Sequence, residues 1–224
     1  NPLTVGGLFT NNGIITANSN IALTGSGVVL SGVGDWGSIN IFFTGSNQVI
    51  DTSVSINNPL GEIVLNTLSL GASVTVTNRG SITLSNTHSG RIVTNYAKYP
   101  TSWINDTNSY LSIAAPSWIS NSDTLHASAL GNTIVFGGSV INLKNPVGKT
   151  YFNLTIATDA PLTLPNNLFA DTVVVDTNAT LNMRGDSLFL TDAWLHPGTV
   201  IKKPIAVKDT SAVKVSGTIV QKIH

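Results

Sequence analysis

The stretch Ile41-Phe42-Phe43-Thr44-Gly45-Ser46 returns later in the chain as Ile134-Val135-Phe136-Gly137-Gly138-Ser139. Two further landmarks follow each copy in the same order: Asn58-Pro59-Leu60-Gly61 and then Arg79-Gly80-Ser81-Ile82-Thr83-Leu84 in the first, Asn145-Pro146-Val147-Gly148 and then Arg184-Gly185-Asp186-Ser187-Leu188-Phe189-Leu190 in the second. The landmarks keep their order while their spacing varies, as expected when insertions fall in loops between strands that hold their register. The pattern predicts two related halves built from stacked strands.

Apolar residues alternate with small polar ones in short runs throughout the chain, for example at residues 20–24, 38–43, 81–84 and 132–136. A period of two, together with abundant Val, Ile and Thr, is typical of β-strands. Helical periodicity is absent, and Glu62 is the only glutamate. The sequence therefore predicts an all-β protein.

The repetition favours a right-handed β-solenoid (β-helix) of short rungs. Stacked rungs use the same strand-and-turn unit again and bury a continuous core. The alternative is a β-sandwich filament subunit, in which an N-terminal strand within residues 1–10 would be donated to the next subunit.

An aromatic-rich segment separates the two predicted halves. Its rings are Tyr96, Tyr99, Trp103, Tyr110 and Trp118. We expect a first solenoid region at residues 1–94, an insertion at 95–128 and a second solenoid region at 129–224 with lysine-bearing last strands. The rings either pack as a satellite cluster over the joint between the halves or form an exposed platform that binds a sugar or a protein.

Composition limits the range of partners. Charged residues make up 10% of the chain, and 11 basic side chains balance 11 acidic ones. No excess of positive charge is present to attract nucleic acid. The chain has no cysteine, so disulfides and thiolate chemistry are excluded. No apolar run approaches the roughly 20 residues that span a bilayer. We expect no nucleic-acid partner, no membrane span and no cofactor.

Several phrases resemble the repeats of large secreted bacterial β-helix surface proteins, of the adhesin-like and autotransporter-passenger-like kinds. These phrases are Val5-Gly6-Gly7-Leu8-Phe9-Thr10-Asn11-Asn12-Gly13-Ile14-Ile15-Thr16, Leu23-Thr24-Gly25-Ser26-Gly27, Tyr151-Phe152-Asn153-Leu154-Thr155-Ile156 and Asn178-Ala179-Thr180-Leu181. The chain is also similar to β-solenoid phage fibre and spike proteins. The resemblance implies a passive or adhesive extracellular role, and it carries over no catalytic residue.

The acids and histidines are the candidates for catalytic and metal-binding residues. A glycosidase needs converging carboxylates, and the candidates in the second half are Asp171, Asp176, Asp186 and Asp192. Asp171 and Asp176 are five residues apart, which places them on opposite faces of a straight strand. We interpret them as turn-capping residues. The histidines, His88, His126, His196 and His224, lack the spacing of a metal site. We predict no catalytic and no metal site.

Three N-glycosylation sequons begin at Asn105, Asn153 and Asn178. Asn153 falls in a predicted strand, where a glycan would interfere with pairing. Asn105 falls in the predicted insertion and is the expected acceptor.

These observations together predict a non-enzymatic structural or adhesive protein. It would be a rigid β-rich module that assembles with copies of itself, as a homo-oligomer or filament, in an extracellular setting on a cell surface, filament or virion. One alternative is a module that binds a surface glycan or receptor through the aromatic segment. Another is a polysaccharide-degrading β-helix enzyme.

Overall fold

The fold is a parallel β-solenoid of about 7 turns, with 56% of residues in strands and 2% in helix. The computed structural model describes residues 3–15, 20–37, 39–57, 63–65, 74–84, 92–94, 101–114, 124–140, 143–183, 186–195, 199–201, 203–204, 215–216 and 219–221. The predicted all-β solenoid is thereby confirmed; its right-handed coil stays a prediction.

In chain order the strands are β1 (Leu3–Val5), β2 (Phe9–Thr10), β3 (Asn20–Leu23), β4 (Gly27–Ser31), β5 (Asn40–Phe43), β6 (Gln48–Ile50), β7 (Ser55–Asn57), β8 (Ile63–Leu65), β9 (Thr75–Asn78), β10 (Ser81–Leu84), β11 (Ile92–Thr94), β12 (Ser102–Asn105), β13 (Tyr110–Ile113), β14 (Thr124–His126), β15 (Thr133–Gly138), β16 (Thr150–Thr158), β17 (Leu162–Thr163), β18 (Leu168–Val175), β19 (Thr180–Asn182), β20 (Leu188–Leu195), β21 (Thr199–Ile201), β22 (Lys203–Pro204), β23 (Val215–Ser216) and β24 (Ile219–Gln221). A short 3₁₀ helix, Val147–Lys149, precedes β16.

Three long sheets form the walls of the solenoid. Sheet 1 has the order β1-β3-β5-β8-β11, sheet 2 the order β14-β12-β9-β6-β4-β2, and sheet 3 the order β24-β20-β18-β16-β15-β13-β10-β7. A smaller sheet 4 has the order β17-β19-β21. Each turn passes from wall to wall, so that β5, β6 and β7 lie in sheets 1, 2 and 3.

Among the described residues, every pair of strands is parallel except β22 with β23. The β-sandwich alternative is therefore wrong, because sandwich sheets are built from antiparallel strands. Parallel neighbours need long crossover connections, and here the crossover is the remainder of one turn.

One turn, rather than half of the chain, is the repeating unit. Asn20 pairs with Asn40 and Ile21 with Ile41, and the sequence of residues 20–26 closely matches that of residues 40–46. The strand of the first quoted motif is β5 in sheet 1, whereas that of the second is β15 in sheet 3. The predicted correspondence between two halves is wrong in this respect, because a strand followed by a glycine turn recurs on more than one wall.

The core consists of inward columns in which each residue stacks on its equivalent in the next turn. One column in sheet 3 contains Ile56, Ile82, Leu111, Ile134, Leu154 and Val173, all buried. Burying one such side chain fully stabilises the fold by about 1.5 to 3 kcal/mol. The outward neighbours in the same strands are partly or fully exposed.

Tight turns join sheet 1 to sheet 2, and they stack directly on one another. A Cβ on Gly45 would lie 2.0 Å from the carbonyl oxygen of Gly25, and a Cβ on Gly25 would lie 2.7 Å from that of Gly6. The buried side chain of Gln48 closes this turn, accepting from Gly45 N–H at 3.0 Å and donating to Leu23 O at 2.8 Å.

Much of the predicted insertion belongs to the same walls. Strand β12 pairs with β9 on one side and β14 on the other, and β13 lies between β10 and β15. Residues 102–105 and 110–113 thus continue the solenoid. The division of the chain at residues 94 and 128 stays a prediction.

Candidate binding face

The outward surface of sheet 3, called here the flat face, belongs to the sheet with the most strands in the described part of the chain. Two columns of outward residues define it: Ser55, Ser81, Tyr110, Thr133, Asn153 and Thr172 in the first, and Asn57, Thr83, Ser112, Val135, Thr155 and Val174 in the second. Neighbours within a column are about 4.8 Å apart, the spacing of adjacent strands.

The chemistry of the flat face is uniform. Serine, threonine and asparagine occur in both columns, tyrosine only in the first and valine only in the second, and neither column contains a charged side chain. Hydroxyl and amide groups both donate and accept hydrogen bonds, as shown by Asn153 Nδ2, which donates to Thr133 Oγ1 at 3.3 Å. The face is a regular array of neutral hydrogen-bonding groups on a rigid support.

A pair of phenylalanines extends this surface toward the amino ends of the strands. Phe169 pairs with Thr150 on one side and Phe189 on the other. The rings of Phe169 and Phe189 stack with centroids 4.8 Å apart and planes inclined by 18°. Phe169 is 43% exposed. Exposed apolar groups of this kind mark interaction surfaces when they are contiguous. The sequence analysis did not predict this pair, although Phe169 and Phe189 are 20 residues apart, which is one turn of the solenoid here.

Charge is concentrated instead at the corner where sheet 2 passes to sheet 3. Arg79 Nε lies 3.0 Å from Asp106 Oδ2. Hydrogen bonds from Ser53 lower the pKa of Asp51, and Arg79 adds a smaller effect. The backbone N–H of Thr107 is the main cause that lowers the pKa of Asp106, and Arg79 contributes through its side chain. Both carboxylates are therefore held in the charged form.

The predicted aromatic site is only partly described. Trp103 is 0% exposed, in the inward column of sheet 2 between Val76 and Leu125. The prediction that it contacts a ligand is therefore wrong, because its ring is enclosed by the core. Tyr110 is half-buried on the flat face between Ser81 and Thr133. The other predicted site residues, Tyr96, Tyr99 and Trp118, lie outside the described residues.

The acidic residues serve local structure where the structure describes them. Asp176 Oδ1 accepts from Thr177 N–H at 2.8 Å, and Asp176 O accepts from Ala179 N–H at 2.9 Å. The turn-capping interpretation of Asp176 is confirmed. Asp171 lies within β18 and not in a turn, so its interpretation as a turn-capping residue is wrong. It also lies at an irregularity between Ala170 and Thr172, which interrupts the alternation that placed Asp171 and Asp176 on opposite faces. Within the described residues, no group of three His or acidic side chains could hold a metal ion.

The expectation for Asn105 is also corrected. Asn105 is fully buried, and its Nδ2 donates to Thr133 O at 3.3 Å. An enclosed amide cannot accept a glycan in the folded protein, because the amide nitrogen must be reached from solvent.

Comparison with protein-family models, curated proteins and solved structures found no match to the chain. Among the described residues, no helix has the length and apolar character needed to cross a membrane.

Proposed function

We propose that this protein is a non-enzymatic structural module of an extracellular surface, a rigid solenoid that assembles side by side with its own copies through the flat face. The observation that carries the proposal is the absence of charged side chains from both columns of that face. The extracellular and adhesive part of the proposal is supported by the resemblance of residues 5–16 and 151–156 to secreted β-helix repeats.

Two columns without charge suit contact between identical copies, and the nearest carboxylate in β18 is that of Asp171, at the irregularity that follows Ala170. In a twofold contact the same patch lies on both partners, so any net charge would meet itself, and like charges brought together cost several kcal/mol. Neutral hydroxyls and amides avoid this repulsion, because each can donate to or accept from its equivalent on the other copy. Val135, Val174 and Phe169 add apolar area to the patch.

The dimensions of the face are adequate for a specific contact. Six neighbouring strands, β7 to β18 in sheet order, cover about 24 Å across. β16 has nine residues and β18 has eight, so the wider part of the face extends along the strands for about 25 to 30 Å. These lengths enclose several hundred Å², which approaches the roughly 800 Å² per partner of a standard interface.

Three matched substitutions test the proposal. Thr155→Arg and Thr83→Arg place charge on the flat face, whereas Thr75→Arg places the same charge on the outward side of sheet 2. We expect the unmodified protein to form oligomers or filaments by light scattering and negative-stain electron microscopy. The two face variants should be monomeric, and Thr75→Arg should assemble normally. Monomeric unmodified protein at high concentration, or equal assembly of all three folded variants, would overturn the proposal.

A glycan- or receptor-binding role is the second candidate, and the position of Tyr110 favours it. Its ring is partly exposed among the hydroxyls of Ser81, Thr133 and Ser112, and tyrosine combines an apolar ring with a polar tip. Retention of the protein on an immobilised neutral polysaccharide, lost in Tyr110→Ala and kept in Thr75→Arg, would support this role. Equal retention of both variants would exclude a site at Tyr110.

A further inference from the structure

The chain carries three sequons, and the fold distinguishes sharply between them. An N-glycan acceptor must present its side-chain amide to solvent in a segment that tolerates a bulky group. Asn105 fails this requirement, since its Oδ1 also accepts from Asn78 Nδ2 at 2.9 Å inside the core.

Asn153 is constrained in another way. It lies within β16, where it pairs with Thr133 of β15 and with Thr172 of β18. Its amide already donates to Thr133 Oγ1. A central strand held on both sides cannot deform to place the amide in a transferase site.

Asn178 lies in a different environment. It is exposed, in the turn that connects β18 to β19. The carboxylate and carbonyl of Asp176 hold this turn through Thr177 N–H and Ala179 N–H. None of the hydrogen bonds found among the described residues uses the side-chain amide of Asn178.

The space around the turn is also open. A solvent-accessible hollow of about 280 Å³ adjoins it, lined by Ala157, Thr158, Asp159 and the turn residues 176–179. Thr180, the hydroxyl residue of the sequon, begins β19 and is partly exposed. Asn178 is thus exposed beside an open hollow, and the sequon residue Thr180 is partly accessible.

We propose that Asn178 is the N-glycan acceptor of this chain. In the transfer a bond forms between Asn178 Nδ2 and the anomeric carbon of an oligosaccharide carried on a lipid diphosphate. The bond from that carbon to the diphosphate oxygen breaks, the lipid diphosphate leaves with the electron pair, and the amide nitrogen loses one proton to a base. The proposal rests on the extracellular location proposed above and not on self-assembly, because Asn178 lies in a turn beyond the flat face.

The test uses the full chain secreted from a eukaryotic host. We expect an intact mass that corresponds to one glycan per chain and that falls, after treatment with a peptide N-glycosidase, to the mass of the chain with one Asn converted to Asp. Peptide mapping should find the resulting Asn-to-Asp conversion at residue 178. Asn178→Gln and Thr180→Ala should each remove the glycan, whereas Thr180→Ser and Asn153→Gln should retain it.

Folding is monitored by circular dichroism, and Asn178→Gln should melt at the temperature of the unmodified chain, because the residue is exposed. A folded, secreted chain without glycan, or a glycan found at Asn153 or Asn105, overturns the proposal. Neither result affects the assembly test, because Thr83→Arg keeps all three sequons and Thr155→Arg removes only the one that begins at Asn153.

Discussion

The side-chain amide of Asn78 donates to the side-chain oxygen of Asn105 across two successive turns of the solenoid, with Nδ2 and Oδ1 2.9 Å apart. Both residues are fully buried. Asn78 Oδ1 also accepts from Gly80 N–H at 3.0 Å, and Trp103 Nε1 donates to Asn105 Oδ1. The two amides therefore satisfy backbone and indole groups that the corner between sheets 2 and 3 encloses.

Asn105→Ala should destabilise the fold strongly. The change removes the acceptor for Asn78 Nδ2 and the donor to Thr133 O. Buried polar groups left without partners cost about 1 to 3 kcal/mol each, so we expect a loss of about 2 kcal/mol or more in urea unfolding. The control Asn57→Ala, at an exposed position on β7, should cost less than about 0.5 kcal/mol. Equal urea midpoints for the two variants would show that the amide pair is unimportant.

Trp103→Ala tests the assignment of the indole to the core. Truncation of a buried aromatic residue costs about 3 to 5 kcal/mol, and the melting temperature should fall accordingly. Tyr110→Ala removes a ring from the surface and should change the melting temperature much less. If both variants had the melting temperature of the unmodified protein, the assignment of Trp103 to the core would be wrong.

Gly45→Ala should be poorly tolerated. The new Cβ would lie 2.0 Å from Gly25 O and 2.8 Å from Thr24 O, both of them backbone atoms of the stacked neighbouring turn. Overpacking of this kind typically costs about 1 to 3 kcal/mol, measurable as a lower denaturation midpoint. Gly7→Ala is the matched control, because no described atom lies within 4 Å of the Cβ that would be added there. Similar midpoints would contradict the close stacking of these turns.

The stability of the protein should fall in acid, in part through Asp106. Its pKa in the folded protein lies below the ordinary value of 3.8, chiefly because Thr107 N–H donates to the carboxylate. A carboxyl group whose pKa is lower in the folded than in the unfolded protein stabilises the fold fully at a pH above its pKa in the unfolded protein. This stabilisation is lost as the pH falls through its pKa in the folded protein. In Asp106→Asn the free energy of unfolding should therefore fall less steeply than in the unmodified protein below about pH 4.

Arg79→Gln separates two causes of the lowered pKa of Asp106, the hydrogen bond from Thr107 and the ion pair with Arg79. It removes the ion pair, which at this exposed site contributes no more than about 1 kcal/mol. The hydrogen bond from Thr107 remains, so most of the acid dependence should persist in urea titrations at several pH values. A flat pH profile in Arg79→Gln would instead make the ion pair the dominant cause.

The strands and their inward faces follow closely from the sequence. In β10, for example, Ser81 and Thr83 lie outward and Ile82 and Leu84 are buried, as the alternation predicts. Alternation is a local property, because successive side chains of a strand point to opposite sides whatever the strand pairs with. Together with the glycine turns and the repetition, it was sufficient to predict a stacked all-β solenoid.

The sheet to which each strand belongs could not be predicted from this local alternation. Paired residues are 18 apart between Leu3 and Ile21 but 31 apart between Leu188 and Ile219. Because the loops vary in length, the number of residues per turn is not constant along the sequence and cannot be recognised from it. For this reason the similarity of residues 41–46 to residues 134–139 predicts an equivalence that the fold does not have, because their strands belong to different sheets.

The sequence by itself determined that the chain forms strands, that the strands stack, and which side chains of most strands face the core, since these depend on nearest neighbours along the chain. The packing of successive turns was needed to show that Trp103 and Asn105 are enclosed, that Tyr110 lies in a column without charged side chains, and that Phe169 meets Phe189. The physical reason is that burial and side-chain contact in a solenoid are set by the turns above and below, and loop length decides which residues those turns bring together.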